Sequence, residues 1–176
     1  MIDDLFPPCL SAVLAVEGGF VDDPQDPGGM TNLGVTAGAW QGWVGHAPSQ
    51  AEMRALTPDV VGPFYRANYW RAVNGDALPP GVNLVLFDHA VNAGAGRAGR
   101  LVQALIGAVQ DGNIGPRTLE ALQQWVGSHS LGAAVHQLMD GRRAFYQSRP
   151  GFPRFGQGWI NRCTAIEMSA MRMVPT

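Results

Sequence analysis

Apolar and polar positions along the 176 residues fall into short helical stretches separated by clusters of Gly and Pro. The first apolar block, Leu10 to Val16 interrupted by Ser11, predicts a helix from about Pro8 to Glu17, stopped by Gly18-Gly19. The turn-rich stretch from Phe20 to Thr36 predicts a long loop or a small β-excursion. Ser49 and Glu52 have the spacing of a capping box, and Thr57-Pro58 that of an N-cap followed by Pro. Two helices start there, the second carrying Phe64, Tyr65, Tyr69 and Trp70.

Residues 82–93 are apolar on most sides and predict a central buried helix. Further helical patterns cover 97–109, 116–126, 131–148 and about 159–173. No long strand alternation or internal repeat is present, so the expected class is mainly α. Gly94-Ala95-Gly96 marks a soft boundary between a catalytic region, 1–94, and a C-terminal helical region, 95–176, packed as one globular unit.

Composition narrows the function. With 46% hydrophobic and 15% charged residues and no long charge block, the chain is expected to fold around a core. All 12 basic residues are Arg, and a net charge of −2 lacks the positive footprint of a nucleic-acid binder. The longest strictly apolar run, Ala12 to Val16, is far too short to span a bilayer. Asp3 and Asp4 occupy the place of a signal peptide's positive region, so the expectation is synthesis in the cytoplasm, and anything the chain does outside needs another route. A monomer is the default. Cys9 and Cys163 read as buried free thiols rather than a disulfide.

Charge is lopsided: residues 1–60 carry eight acids against Arg54, and residues 61–176 carry eleven Arg against six acids. Arg142, Arg143, Arg149, Arg154, Arg162 and Arg172, set against Asp140 and Glu167, lean as a cluster toward an anionic polymer, although each taken alone reads as solvated surface.

Glu17 shares a face with Leu10, Val13 and Leu14, which aims its carboxyl toward the core side at the negative end of a helix. Both surroundings favour the protonated form that a general acid uses. A second carboxylate has to come from the following loop, which offers Asp22, Asp23 and Asp26 ahead of Thr31 and Asn32; two flanking carboxyl groups are the minimal apparatus for glycoside hydrolysis. Asp88 and Asn92, four apart on the apolar helix, need partners if buried, or bind sugar groups. Tyr69 and Trp70 offer either a sugar-stacking face or core packing. The four His form no ligand pattern, and Asp111 to Thr118 lacks the acids of a calcium loop, so neither metal nor cofactor is expected.

The stretch Glu17-Gly18-Gly19-Phe20-Val21-Asp22-Asp23-Pro24, continued by residues 26–36, resembles the N-terminal signature of glycoside hydrolase family 108, the N-acetylmuramidases. The resemblance continues through Tyr69-Trp70, residues 87–94, residues 111–119 (a turn and helix start like those of peptidoglycan-binding modules) and Gly158-Trp159-Ile160-Asn161-Arg162. It implies a lysozyme-like helical fold, peptidoglycan strands as the partner, cleavage of the β-1,4 bond between N-acetylmuramic acid and N-acetylglucosamine, and release or assisted export to the wall with a holin or another export partner. It makes Glu17 the catalytic acid. Phe20 departs from the family's usual Tyr, so a hydroxyl there is not essential if activity is kept. Phage-type lysozymes, with Glu, eight residues, Asp, five residues and Thr, are similar to Glu17, Asp26 and Thr31, although only four residues separate the last two here. By that comparison Asp26 positions water with Thr31, and Asp23 is its rival. A lytic transglycosylase and a non-catalytic wall-binding or secretion-associated protein are the alternatives.

Overall fold

The structure is a computed structural model that describes residues 4–22 and 29–175. It is mainly α, with one two-stranded antiparallel sheet among the described residues. Helix α1 spans Phe6–Leu14 and gives up its regular pattern before the predicted end. Val16 and Glu17 donate to Val13 and Leu14 carbonyls three residues back, a tightened last turn that brings Glu17 just past the helix.

The expected β-excursion is a hairpin, β1 (Thr31–Asn32) against β2 (Val35–Thr36), with Thr31 opposite Thr36. Its two-residue turn, Leu33 and Gly34, has φ of 48° and 74°, the doubly positive geometry that matches strand twist. Val21 bridges to Thr31 and so draws the chain after Glu17 alongside the hairpin.

Thr36 then caps α2 (Ala37–Val44) by accepting from Ala39 N, and Gly45 closes it at φ 84°. This helix was not expected, because Gly38 and Gly42 weaken its helical pattern. The capping box at Ser49 and Glu52 opens α3 (Gln50–Arg54), and the Thr57-Pro58 cap opens α4 (Pro58–Tyr65), both where the sequence sets them.

Beyond α4 the chain continues as a π-turn over Arg66–Trp70 and short 3-10 turns over Arg71–Val73 and Gly75–Ala77. Helices α5 (Val82–Ala93), α6 (Ala95–Leu105), α7 (Pro116–Ser128), α8 (Leu131–Gln147) and α9 (Phe152–Met173) complete the fold. α9 starts seven residues before the expected Trp159, since Gly156 and Gly158 dilute the pattern there. Gly156 is required for packing: a Cβ at that position would come within 2.6 Å of the Phe152 ring.

α5 is the axis of the molecule. Every residue from Val82 to Ala90 is buried, and α1, α6, α8 and α9 all pack on it. Such a helix has no solvent face, which is why its sequence is apolar nearly all round. The core is one cluster that runs from Phe6 and Val13 through Phe87 to Leu138 and Ile166, continuous across residue 94. Cys9 and Cys163 are free and buried, and burial pushes the Cys9 thiol up to about 12. Among the described residues no helix is long and apolar enough to cross a membrane.

Candidate active site

Glu17 sits where the end of α1, the hairpin turn and α9 meet. Its side chain is 16% exposed and its Oε1 accepts from Arg162 Nη2 at 2.7 Å. Arg162 projects from α9, 145 residues further along the chain. The same guanidinium donates to Asp88 Oδ1 through Nη2 at 2.6 Å and Nε at 3.1 Å, and Nη1 reaches the Val16 carbonyl at 3.4 Å. The hydrogen-bond network orients the Asn92 amide with its carbonyl oxygen toward Arg162, where it accepts from Nε and Nη2 at 2.7 Å each.

Behind this lies a second cation. Arg142, fully buried on α8, donates to Asp88 Oδ2 at 2.6 Å. Asp88 is therefore a fully buried carboxylate between two guanidiniums, and its network tethers Glu17 from inside the fold. Burial by itself would lower the pKa of Arg162; the charge of Asp88 and then of Glu17 outweighs this and raises it. His89, next along α5, is pushed down to about 3 by burial and by Arg142, and stays a neutral core residue.

The other side of Glu17 is shaped by the hairpin turn. The Tyr65 hydroxyl donates to the Leu33 carbonyl at 2.7 Å and fixes the turn against α4. Burial, followed by the charge of Glu17, raises the pKa of both Tyr65 and Tyr69, which places both phenols in the field of the carboxylate. Gly34 faces Glu17 directly: a Cβ there would lie 2.7 Å from Glu17 Cδ and from the Tyr65 hydroxyl, and 2.8 Å from Oε2. With Oε1 held by Arg162, only the hydrogen at Gly34 leaves Oε2 room on that side.

Gly34→Ala is accordingly expected to displace Glu17, lowering activity at least about tenfold, and to cost about 1–2 kcal/mol of stability through its positive φ. Activity measured beside a melting curve checks both; a fully active Ala variant would remove Gly34 from the site.

The remaining predicted residues divide. Thr31 lies on β1, in the strand leading into the turn that faces Glu17, with its backbone paired to Val21. Asn32 is 6% exposed and donates to the Met53 carbonyl at 2.7 Å, so it ties the hairpin to α3 and offers little to a sugar. Asp22 accepts from Gln50 Nε2 at 2.7 Å. Asp23 and Asp26 lie outside the described residues.

Trp70 and Asp88, each read as either a sugar contact or a buried structural residue, both lie inside the fold. Trp70 is fully buried, edge-on to Phe6 and Phe87, with its Nε1 bonded to Asp76 and Gly75 against its ring, so it has no face for a sugar. Asp88 is likewise sealed inside the arginine pair. Asn92 is exposed at the margin and Tyr69 is half-buried; Tyr69 lines a hollow of about 460 Å³ with Trp43 and Phe64. Phe20 carries the Arg54 guanidinium 3.9 Å over its ring, a role for which a hydroxyl is unnecessary.

Sequence reasoning missed Arg162 as a site residue and placed it among wall-facing arginines. The available signal was Asp88, a carboxylate on an apolar helix in need of a cation. Among the described residues no group of three or more His, Cys, Asp or Glu side chains could hold a metal ion.

The fold is mainly α, with one carboxyl held at the junction of hairpin and helices. Residues 10–94 match the family described as Glycosyl hydrolase 108, and residues 97–164 match a Predicted Peptidoglycan domain. Among solved structures the chain is similar to SagA of Brucella abortus, with 37% identity over 96% of this chain and 94% of that one, and a TM-score of 0.81. No curated protein matches the sequence. The chain belongs to the glycosyl hydrolase 108 family and is a glycoside hydrolase that acts on the peptidoglycan of the cell wall.

Proposed function

We propose that the protein is an N-acetylmuramidase that hydrolyses the β-1,4 bond between N-acetylmuramic acid and N-acetylglucosamine, with Glu17 as general acid. The observation that carries this reading is the Glu17 carboxyl, part-exposed and fixed through one oxygen by Arg162, with the other oxygen beside Gly34. A proton on Oε2 passes to the leaving glycosidic oxygen as the bond to the muramic C1 breaks and that sugar gains oxocarbenium character. The carboxylate left behind is stabilised by a guanidinium already in place, which needs no reorganisation during the step. Asp26 is the second carboxylate, activating water with Thr31, and Asp23 is its rival for that role. Tyr69 supplies an aromatic face, with the 42% exposed Trp43 beside it.

Digestion of purified sacculi followed by borohydride reduction identifies the newly formed end by mass spectrometry. Reduced muramic ends support the reading. Reduced glucosamine ends would make the enzyme a glucosaminidase, anhydro-muramic ends a transglycosylase, and no released glycan a wall-binding protein.

Arg162 is a positioning residue in this account. Arg162→Lys keeps the charge but loses the planar fork that spans Glu17, Asp88 and Asn92. The expected result is a fall in kcat of about 10–100-fold with KM within about twofold. A folded variant with an unchanged kcat would reduce Arg162 to a structural tie.

A further inference from the structure

A second hollow opens beside the acid. It measures about 320 Å³ and is walled by Asn92 and Arg97 at the α5–α6 junction, Phe145 and Arg149 at the end of α8, and Trp159 on α9. Asn92 belongs to both places: its carbonyl oxygen accepts from Arg162, and Arg162 in turn holds Glu17. The hollow therefore begins two hydrogen bonds from the catalytic carboxyl.

Its walls have a particular chemistry. Arg97 and Arg149 converge on one ring, with their guanidinium carbons 5.9 and 5.3 Å from the Phe145 centroid. Neither takes part in any of the ion pairs found among the described residues. Arg97 is steadied by the Ala93 carbonyl, which accepts from Nη1 at 2.7 Å and leaves the rest of the fork free. Trp159 stacks obliquely on Tyr146 at 5.4 Å and on the exposed Phe155 at 6.0 Å, which extends the aromatic wall outward.

Two cations beside one aromatic ring, neither of them in those ion pairs, give the hollow a positive character that suits an anion. Each fork is built for a planar carboxylate, and the rings offer packing for short aliphatic side chains. We infer that this hollow binds the acidic peptide stem of the glycan strand, with Arg97 and Arg149 on its free carboxylates and Trp159 against its aliphatic part. The inference rests on peptidoglycan being the substrate and deepens it: the stem leaves the muramic sugar, one of the two sugars joined by the scissile bond, and Asn92 is where such a stem would pass. The C-terminal helices would thereby read the peptide while the N-terminal ones act on the sugar.

The test uses the full chain and the Arg97→Gln/Arg149→Gln double variant, whose substituted side chains are both exposed. The first arm compares kcat/KM on stem-bearing strands and on strands stripped by an amidase. The ratio of the two should fall about tenfold or more in the variant, the scale of one lost charge-assisted contact. A ratio that does not move overturns the inference. The second arm titrates the free stem tripeptide, L-Ala-γ-D-Glu-diaminopimelate, by calorimetry or by NMR shifts of the Trp159 indole. Saturable binding by the wild type that weakens at least tenfold in the variant is expected, and no binding by the wild type overturns the inference. This arm does not depend on turnover. Failure of the wild type to cleave either strand, with tripeptide binding intact, would sink the muramidase reading and leave the stem site standing.

Discussion

Glu17→Gln is expected to lower glycan release by about 10³-fold or more while leaving the melting temperature within a few degrees of the wild type. The amide keeps the size of the side chain, so its carbonyl oxygen still accepts from Arg162 where Oε1 does now, at 2.7 Å. It has no acidic proton to give to a leaving oxygen. The side chain is 16% exposed and makes no part of the apolar core, so the change removes chemistry with little packing. Turnover on sacculi measured beside thermal unfolding checks both halves. A variant of normal activity would remove Glu17 from the acid role, whereas an inactive and unfolded one would show that the carboxylate is needed to compensate Arg162.

Asp88→Ala carries the largest expected loss of stability, about 3–5 kcal/mol, or a melting temperature lower by roughly 10 °C or more. Asp88 is fully buried, and the substitution strands Arg142, whose side chain is also fully buried, without a counter-charge. Arg142 Nε already has no hydrogen-bond partner, so the cation has little else to fall back on. Arg162 loses its inner anchor at the same time, so activity should fall beyond what unfolding explains when assayed well below the melting point. Asp88→Asn separates the two effects: it keeps the hydrogen-bonding shape and removes the charge, and its loss of stability should be smaller. Equal stability of the Ala variant and the wild type in denaturant titration would contradict the network described here.

Local rules were legible in the sequence wherever a side chain meets its own backbone. The Ser49–Glu52 box, the Thr57-Pro58 start and the all-round burial of α5 follow from residues within one or two turns of each other. The hairpin was readable only as a turn-rich stretch, because two-residue strands are too short to show alternation. Which of Tyr69 and Trp70 packs in the core was left open for a related reason. The π-turn over Arg66–Trp70 alters the helical register after Tyr65, turning Trp70 inward and leaving its neighbour Tyr69 at the margin.

The candidate site was legible on one side only. Glu17 stands in a recognisable segment, and Asp88 and Asn92 announced by their spacing that they required partners. The partner, Arg162, lies 74 residues from Asp88, and no local pattern links them. The sequence also led to an apolar setting for Glu17, whereas the fold supplies a cation. A long-range ion pair is created by tertiary packing, here of α9 against α5 and α1, and leaves only an unpaired charge at each end as its trace.

The most direct test of the account is digestion of purified sacculi in water enriched in ¹⁸O by the wild type and by Glu17→Gln, with the released muropeptides weighed by mass spectrometry. The account predicts reducing N-acetylmuramic ends carrying one ¹⁸O from the wild type and almost none released by the variant. Unlabelled anhydro-muramic ends, or equal release by the two proteins, would contradict it.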